Sequence, residues 1–350
     1  GDGFAWAGAW MCKVLSLFSA LYSKVGCMIA AAQGEVVEIA GRSLSVGAKL
    51  AEGGFALVYI AHDRNLSGKV YALKKICCHD SEQLSNALAE AELLQRLPPH
   101  PNIITFVGKL RRTVKEKAGG QVEEVLILSA FYPAGGLQEA SDEAHAGGVG
   151  WSEKALLRVV LQVASAVAHL HSQVRAIAHR DVKIENVLLH CSVEDCLAAR
   201  GRVVLCDFGS ATTRAQVYET RGDILEEEER IGKFTTMAYR APEMVDLYQR
   251  KRVDEKVDVW ALGVLLYLLA YNRFPFDPSS PLAILSGRYA SPPAVTSPRY
   301  SERVDTLLAV ALHVDPAARV SVFDFVALLE GATGAAQGER GVAVAVAVPP

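Results

Sequence analysis

The pattern of apolar residues changes near residue 150, and this change limits the folds open to the chain. Residues 36–76 and 103–129 carry short β-branched runs, such as Val125–Leu128, separated by glycines and polar turns. Such runs are typical of antiparallel strands. From Trp151 onward, apolar residues recur at helical spacing. A sheet-rich first part and a helix-rich second part predict an α+β protein of two lobes, with a cleft between them where ligands tend to bind.

Three helices can be predicted in more detail. One interrupts the strands, because Asp80 followed by Gln83 is a capping-box signature and the helical pattern after it stops at Pro98. Ser152 is a suitable N-cap for the first helix of the second part. The run Val259–Ala270 is apolar on all sides. Its 12 residues are too few for a membrane span, so it is predicted to be a buried central helix.

Composition excludes several classes of protein. The chain has 350 residues with 36 Lys and Arg against 39 Asp and Glu, so its net charge is −3, which argues against nucleic acid as a partner. An apolar content of 51% excludes a disordered body. The seven cysteines include no C-x-x-C pair, so neither a disulfide framework nor a zinc site is expected. Cys77, Cys78 and His79 are interpreted as the end of a strand, where neighbouring side chains point in opposite directions.

The two ends of the chain differ from its body. Residues 1–34 form an apolar extension whose uncharged run Val14–Ser23 is too short to cross a bilayer, so no transmembrane span is expected. A segment that packs on the body or is weakly ordered is favoured over a lipid anchor at Cys12 or Cys27. Residues 331–350 are rich in Ala, Gly and Val, which predicts a low-complexity tail.

Four short motifs follow one another in a fixed order. Each alone could occur by chance, but all four together, in the elements predicted for them, are very hard to obtain accidentally. They are Tyr71-Ala72-Leu73-Lys74, His179-Arg180-Asp181-Val182-Lys183-Ile184-Glu185-Asn186, Asp207-Phe208-Gly209 and Ala241-Pro242-Glu243. With these motifs the sequence resembles the protein kinases.

The resemblance implies a bilobal α+β fold with ATP and Mg²⁺ as cofactors. The kinase domain would cover residues 35–330, with a small antiparallel-sheet lobe at about 35–132 that carries one key helix, and a larger helical lobe at about 133–330. Phosphoryl transfer from ATP depends mainly on positioning and on neutralising phosphate charge. The residues below are therefore expected to line the cleft between the lobes.

Two groups of residues would carry the chemistry. By resemblance, Lys74 contacts the α and β phosphates and is held by Glu90, which lies ten residues before His100 as is usual in kinases. Glu92, on the same predicted helix, is the other acid that has to be excluded as the partner of Lys74. Asp181 would accept the substrate's hydroxyl proton, and Lys183 would lie near the γ phosphate.

The metal is expected at a second pair of side chains. Asp207 and Asn186 supply carboxylate and amide oxygens, which are the ligands that Mg²⁺ prefers. A lysine two residues after Asp181 is the pattern of serine/threonine kinases rather than tyrosine kinases.

The expected ATP pocket departs from the family pattern at one point. The glycine-rich loop has Ala51 and Ala56 at the first and third glycine positions and keeps Gly53 in the middle. A small residue at the gatekeeper position, Ser129, is expected to leave a back pocket open. By resemblance, the residues around ATP are Leu50, Gly53, Gly54, Val58, Ala72, Lys74, Ser129, Phe131 of the 130–133 hinge, and Leu188.

A third set belongs to the activation segment and its supports, namely Arg180, Thr235, Thr236, Glu243 and Arg319. Glu243 is expected to pair with Arg319, and Asp258 to brace the loop that contains Asp181. Thr236 would position substrate, which leaves Thr235 or Thr220 as phosphorylation sites. Two interpretations of the acidic run Glu226–Glu229 stay open, a substitute for a phosphate on Arg180 and a solvated face.

Further stretches narrow the resemblance to the numb-associated kinases, which include cyclin G-associated and adaptor-associated kinases. These stretches are Leu50–Ala56, Leu205–Thr213, the run Glu226–Glu229, Thr235–Tyr248 and Asp258–Gly263. The insert His190–Arg202 and the linker at 109–124 depart from that family. Membership implies a serine/threonine kinase that acts on protein substrates, notably clathrin adaptor subunits, and is active without upstream phosphorylation. It also implies a cytoplasmic location at trafficking membranes, with peripheral membrane association. The alternative, prompted by the two missing glycines, is an inactive kinase fold that serves as a binding scaffold.

Overall fold

The computed structural model describes residues 34–52, 56–115, 121–146, 148, 150–289 and 300–334. Of the extension predicted at 1–34, only Gly34 falls within these ranges, and of the tail predicted at 331–350, only 331–334 does. Gly53 and Gly54 also lie outside the described residues. Within the described ranges, none of the helices combines the length and the apolar character that a membrane crossing needs.

The first lobe is built on a six-stranded antiparallel sheet in the order β1-β2-β3-β4-β6-β5. Its strands are β1 (Val36–Ile39), β2 (Arg42–Glu52), β3 (Ala56–Asp63), β4 (Val70–Cys78), β5 (Phe106–Lys115) and β6 (Gln121–Ala130). The strand predicted to end near Cys78 is β4.

The two faces of this sheet have different partners, because successive residues of a strand point to opposite sides. On the outer face, Leu73 and Leu128 pack with Ile39 of β1 in a small cluster of their own. On the inner face, Ile76 and Ile127 join the main hydrophobic core. The alternation along β4 therefore places Lys74 on the inner side, which faces the second lobe.

One helix, α1 (Ser81–Arg96), packs against the inner face of the sheet. It begins as predicted, since the Asp80 side chain accepts a hydrogen bond from the Gln83 N–H at 2.7 Å. The Gln83 side chain reaches back to the His79 N–H at 3.0 Å. Leu97 caps the other end, just before Pro98. Glu90 and Leu94 are among the residues that α1 buries.

The second lobe is mostly helical, with a short hairpin formed by β7 (Val187–Leu189) and β8 (Val203–Leu205). Its helices are α2 (Leu137–Ala146), α3 (Glu153–His171), α4 (Val193–Leu197), α5 (Arg221–Phe234), α6 (Pro242–Val245), α7 (Lys256–Tyr271), α8 (Pro281–Ser286), α9 (Glu302–Ala311) and α10 (Val322–Thr333). The predicted fold class, α+β with a sheet lobe and a helical lobe, is confirmed.

The predicted central helix is α7, which is buried on nearly every side and packs on α3 and α9. Ser152 caps α3 as expected, accepting a hydrogen bond from the Ala155 N–H at 3.3 Å. At its C-terminal end, α10 extends to Thr333, three residues into the stretch predicted as a low-complexity tail.

A pair of glycine substitutions tests the packing around α7. In Gly263→Ala, the new methyl carbon would lie 2.9 Å from both Ala311 Cβ and Leu312 Cδ2. We expect it to lower the free energy of unfolding by about 1–3 kcal/mol, the usual cost of overpacking. Gly331→Ala in α10 is the matched control, because among the described residues nothing outside the adjacent residues and the backbone of α10 itself lies within 4 Å of the added carbon. It should be neutral or stabilise by up to about 1 kcal/mol. Urea unfolding of both variants measures the difference, and equal effects would contradict the described packing.

Candidate active site

A buried ion pair joins the sheet to α1. The Lys74 ammonium on β4 lies 2.7 Å and 3.0 Å from the two carboxylate oxygens of Glu90. Glu90 is 5% exposed, so its charge depends on this partner. Glu92 instead points outward with 52% of its side chain exposed, at 3.9 Å from Lys109 and 4.0 Å from Arg96. Helical geometry thus separates the two acids, and Glu90 is the one on the sheet side.

Lys74 also reaches across to the second lobe. Its Nζ atom lies 2.8 Å from Oδ1 of Asp207, in the loop after β8. Burial opposes the charge on Lys74, but the carboxylates of Asp207 and Glu90 outweigh it and raise the pKa of the ammonium. In return, the Lys74 charge holds the pKa of Asp207 well below its usual range. Both groups are therefore ionised at neutral pH.

The carboxylate of Asp181 is held by three neighbours. Its Oδ1 accepts from the Thr236 hydroxyl at 2.8 Å and from the Thr236 N–H at 3.1 Å. Lys183 Nζ lies 2.8 Å from Oδ2 of Asp181 and donates to the Thr236 hydroxyl at 2.9 Å. Asn186 Nδ2 donates to Oδ2 at 3.0 Å and to the Asp181 main-chain carbonyl at 2.8 Å. The Asp181 carboxylate, the Lys183 ammonium and the Thr236 hydroxyl are thereby held in contact with one another.

The loop that presents Asp181 is braced by α7. Asp258, at the start of that helix, accepts hydrogen bonds from the main-chain N–H groups of His179 at 2.7 Å and Arg180 at 2.8 Å. The His171 imidazole lies 2.9 Å from the same carboxylate. Burial opposes the charge, but these partners lower the pKa of Asp258. Arg180 has a φ of 64°, a strained value that this bracing maintains.

The Arg180 side chain pairs with one member of the acidic run. Its Nη1 lies 2.5 Å from Oε1 of Glu227 on α5, and these side chains are 3% and 2% exposed. Glu226, Glu228 and Glu229 point outward on the same helix. The run is therefore divided between one buried partner of Arg180 and three exposed acids, because a helix turns only one position in three or four toward the core.

The other residues predicted for the activation segment and its supports pair with residues elsewhere in the second lobe. Arg319 donates to both carboxylate oxygens of Glu243, at 2.7 Å and 2.9 Å, and both side chains are fully buried. The Thr235 hydroxyl donates to the Ile231 carbonyl at 2.7 Å and accepts from Arg240 Nε at 2.8 Å. Thr220 lies far from this contact along the chain, as the N-cap of α5.

The residues predicted around adenine come from both lobes. Ala72 on β4 is paired in register with Ser129 on β6, and the Ser129 hydroxyl donates to the Ala72 carbonyl at 3.5 Å. In the second lobe, Leu188 of β7 bridges to Gly136, just after the hinge. The others are Leu50 on β2, Val58 on β3 and Phe131 directly after β6. The structure thus places these residues on strands of both lobes and directly after β6, and none of them is among the residues that line the cleft around Lys74.

The chemical groups converge on one cleft. Its lining includes Lys74, Glu90, Asp181, Lys183, Asp207 and Thr236. Asp207, with 49% of its side chain exposed, offers a carboxylate, and Asn186 offers an amide oxygen. Oxygen donors of this kind fit Mg²⁺, which binds through one or two protein ligands and completes its shell with water and phosphates.

Sequence reasoning missed two residues that hold this cleft together. His171, in the last turn of α3, completes the partners of Asp258. Tyr239 accepts a hydrogen bond from the Ile184 N–H at 3.3 Å and so ties the segment after Thr236 to the catalytic loop. His171 lies in none of the motifs, and Tyr239 lies in the stretch Thr235–Tyr248, whose resemblance assigned it no contact.

Comparison with known proteins agrees with this geometry. The model of the protein kinase domain matches residues 44–328. Two Dictyostelium discoideum proteins named probable serine/threonine-protein kinase are 34% and 35% identical over 292 and 304 residues, covering 83% and 87% of this chain and 24% and 36% of their own lengths. Serine/threonine-protein kinase ppk30 of Schizosaccharomyces pombe is 34% identical over 290 residues, 83% of this chain and 28% of its own.

The chain spans about a quarter to a third of the length of these relatives. The family match, by contrast, covers both lobes and every motif residue of the cleft described above. The chain therefore belongs to the protein kinase domain family.

Proposed function

We propose that this protein is a serine/threonine protein kinase that transfers the γ phosphate of ATP to a protein hydroxyl. The observation that carries the proposal is the joint assembly of Lys74, Glu90 and Asp207 with Asp181 and Lys183 in one cleft. An inactive fold has no need to hold all of these acidic and basic side chains in one cleft. The names of the three relatives support the same activity.

The roles follow from the position of each group. Asp181 accepts the hydroxyl proton of the substrate and orients its oxygen, with Thr236 fixing the direction of the carboxylate. Lys74 and Lys183 are the cations that neutralise phosphate oxygens from either side of the cleft. Asp207 and Asn186 would hold Mg²⁺, which neutralises phosphate charge when bound. Glu90 acts through Lys74, by fixing where its ammonium lies.

The alternative is a binding scaffold with a kinase fold, prompted by Ala51 and Ala56 in the glycine-rich loop. Ala56 begins β3 and pairs with Ile76, so its backbone has an ordinary strand conformation in which alanine is not strained. That observation favours the active kinase, since this substitution leaves the strand intact.

The first test separates transfer from binding. In Asp181→Asn, phosphate transfer from radiolabelled ATP to a generic threonine-bearing protein should fall at least about 10²-fold, because the proton acceptor is lost. Binding of a fluorescent ATP analogue should be retained. Glu185→Gln, which changes an exposed carboxylate in the same loop, is the matched control and should keep most of the activity. Equal labelling by wild type and Asp181→Asn would refute the proposed catalytic role.

We also propose that the activation segment needs no phosphate, because Glu227 already neutralises Arg180. The buried Glu227 carboxylate occupies the position beside Arg180 where a phosphate would otherwise supply negative charge. Activity of the wild type should therefore survive complete treatment with a phosphatase. Abolished activity after that treatment would contradict the proposal.

Substitution of Glu227 tests the same contact directly. Glu227→Ala leaves a buried guanidinium without its carboxylate, which should cost about 3–5 kcal/mol of unfolding free energy and most of the activity. Glu227→Gln keeps the shape and removes only the charge, so it remains informative if the alanine variant fails to fold. Glu228→Ala on the exposed face is the control and should match wild type in urea unfolding and in activity. Equal loss in the Glu227 and Glu228 variants would count against the pairing.

The finer assignment is to the numb-associated kinases, with clathrin adaptor subunits as substrates and a cytoplasmic location at trafficking membranes through peripheral association. The support is the resemblance of the stretches Leu50–Ala56 and Leu205–Thr213. We expect the purified medium chain of a clathrin adaptor to be phosphorylated on threonine, and Asp181→Asn to leave it unlabelled. Phosphoamino-acid analysis measures this, and the absence of labelled threonine would remove the adaptor assignment without affecting the kinase assignment.

A further inference from the structure

The insert at 190–202 departs from the resemblance and contains its own small structure. It connects β7 to β8 and holds the short helix α4. Ser192 caps this helix, since its hydroxyl accepts from the Asp195 N–H at 3.1 Å. The insert also touches the hinge, because the rings of His190 and Tyr132 meet edge-on at 5.6 Å. It is therefore an ordered element beside the predicted nucleotide site.

Two cysteines flank the first turn of α4, at positions whose side chains lie close together at the start of a helix. Cys191 immediately precedes the N-cap residue, and Cys196 is the fourth residue of α4. Side chains at these two positions commonly pack against each other and fix the angle at which the chain enters the helix. Here both positions carry thiols, so the contact that usually joins two apolar side chains joins two sulfur atoms.

Gly201 gives a measure of how close the two cysteines lie. A methyl carbon built on Gly201 would come within 2.3 Å of Cys191 Sγ and within 2.8 Å of Cys196 Cα. Since both distances start from one point, the Cys191 sulfur lies within about 5 Å of the Cys196 backbone. A disulfide needs a Cα–Cα separation of roughly 4.4–6.8 Å, and this packing is compatible with that geometry.

The two thiols differ in their solvent exposure. Cys191 is half-buried and its Sγ donates weakly to the Arg202 carbonyl at 3.6 Å, whereas Cys196 is 1% exposed. A small oxidant can therefore reach the sulfur of Cys191 more easily than the buried sulfur of Cys196. Burial raises the pKa of both thiols, that of Cys196 to about 12. The thiolate fraction, and with it the rate of oxidation, should rise as the pH is raised toward 9.

We propose that Cys191 and Cys196 form a redox site that closes reversibly to a disulfide in the presence of peroxide. The Cys191 sulfur attacks one peroxide oxygen, the O–O bond breaks, and Cys191 becomes a sulfenic acid while water leaves. The Cys196 sulfur then attacks the Cys191 sulfur, which forms the S–S bond and releases the second water. Two thiols lose two electrons and two protons, and one hydrogen peroxide becomes two waters. A dithiol reductant reverses the reaction.

Tryptic peptides make this testable without any assay of catalysis, so the outcome is independent of the proposed function. Both thiols fall in one peptide, Ile184–Arg200, and Cys206 falls in another, Val203–Arg214. After peroxide treatment of the folded protein at pH 9, removal of peroxide and alkylation in denaturant, we expect the first peptide to be unalkylated and lighter by about 2 Da, the mass of two hydrogens. Dithiothreitol should restore two alkylated thiols.

Two other cysteines and one variant serve as controls that distinguish a disulfide between Cys191 and Cys196 from general oxidation of the thiols. Cys77 and Cys78 are neighbours on β4 and point to opposite faces of the sheet, so they should remain alkylated. Cys196→Ser should abolish the product that is lighter by about 2 Da and leave Cys191 as a sulfenic or sulfinic acid. The proposal is overturned if wild-type Cys191 reaches the sulfinic acid while Cys196 stays alkylatable, or if both thiols stay alkylatable when the peptide of Cys206 is already oxidised.

Discussion

The ion cluster of Lys74, Glu90 and Asp207 is the interaction on which the rest of the cleft depends. Its three members come from β4, from α1 and from the loop after β8, so one ammonium links the sheet, the helix and the second lobe. Glu90 is 5% exposed, and a buried carboxylate without a partner costs several kcal/mol. Moving α1 away from the sheet therefore carries an electrostatic penalty as well as a loss of packing, and the position of the helix follows from the pair.

The catalytic loop depends on a second buried charge that belongs to the core. Asp258 is fully buried at the start of α7, a helix that is otherwise apolar on nearly every side. Its carboxylate accepts two main-chain hydrogen bonds from the loop, at 2.7 Å and 2.8 Å, which satisfies donors that would otherwise be unpaired. The hydrophobic burial of α7 thus fixes the anchor, and the anchor holds Arg180 in a left-handed conformation. Asp181 is presented to the cleft by the same strained turn.

Sequence patterns predicted the parts of this arrangement that are local or motif-bound. The cap at Asp80 follows from a capping-box signature, and the buried helix within α7 follows from a run that is apolar on all sides. The choice of Glu90 over Glu92 follows from the resemblance, which places this acid ten residues before His100. The contacts of Glu227, His171 and Tyr239 join segments far apart in the chain, so no local period encodes them. The strand β1 and the helix α4 were not foreseen as separate elements, because short elements stabilised by packing leave a weak periodic signal.

The pairing of Arg180 with Glu227 has a consequence for how the activation segment is stabilised. A phosphate carries up to about two negative charges and can be removed, whereas the carboxylate carries one and is permanent. A second guanidinium, that of Arg230, lies nearby, and burial together with Arg214 lowers its pKa. One carboxylate therefore neutralises only part of the positive charge gathered there. Apolar packing opposes the remaining repulsion, because the buried side chains of Ile224 and Ile231 hold α5 against the second lobe. Packing of apolar side chains thus adds to the Arg180–Glu227 ion pair in holding α5 against the second lobe.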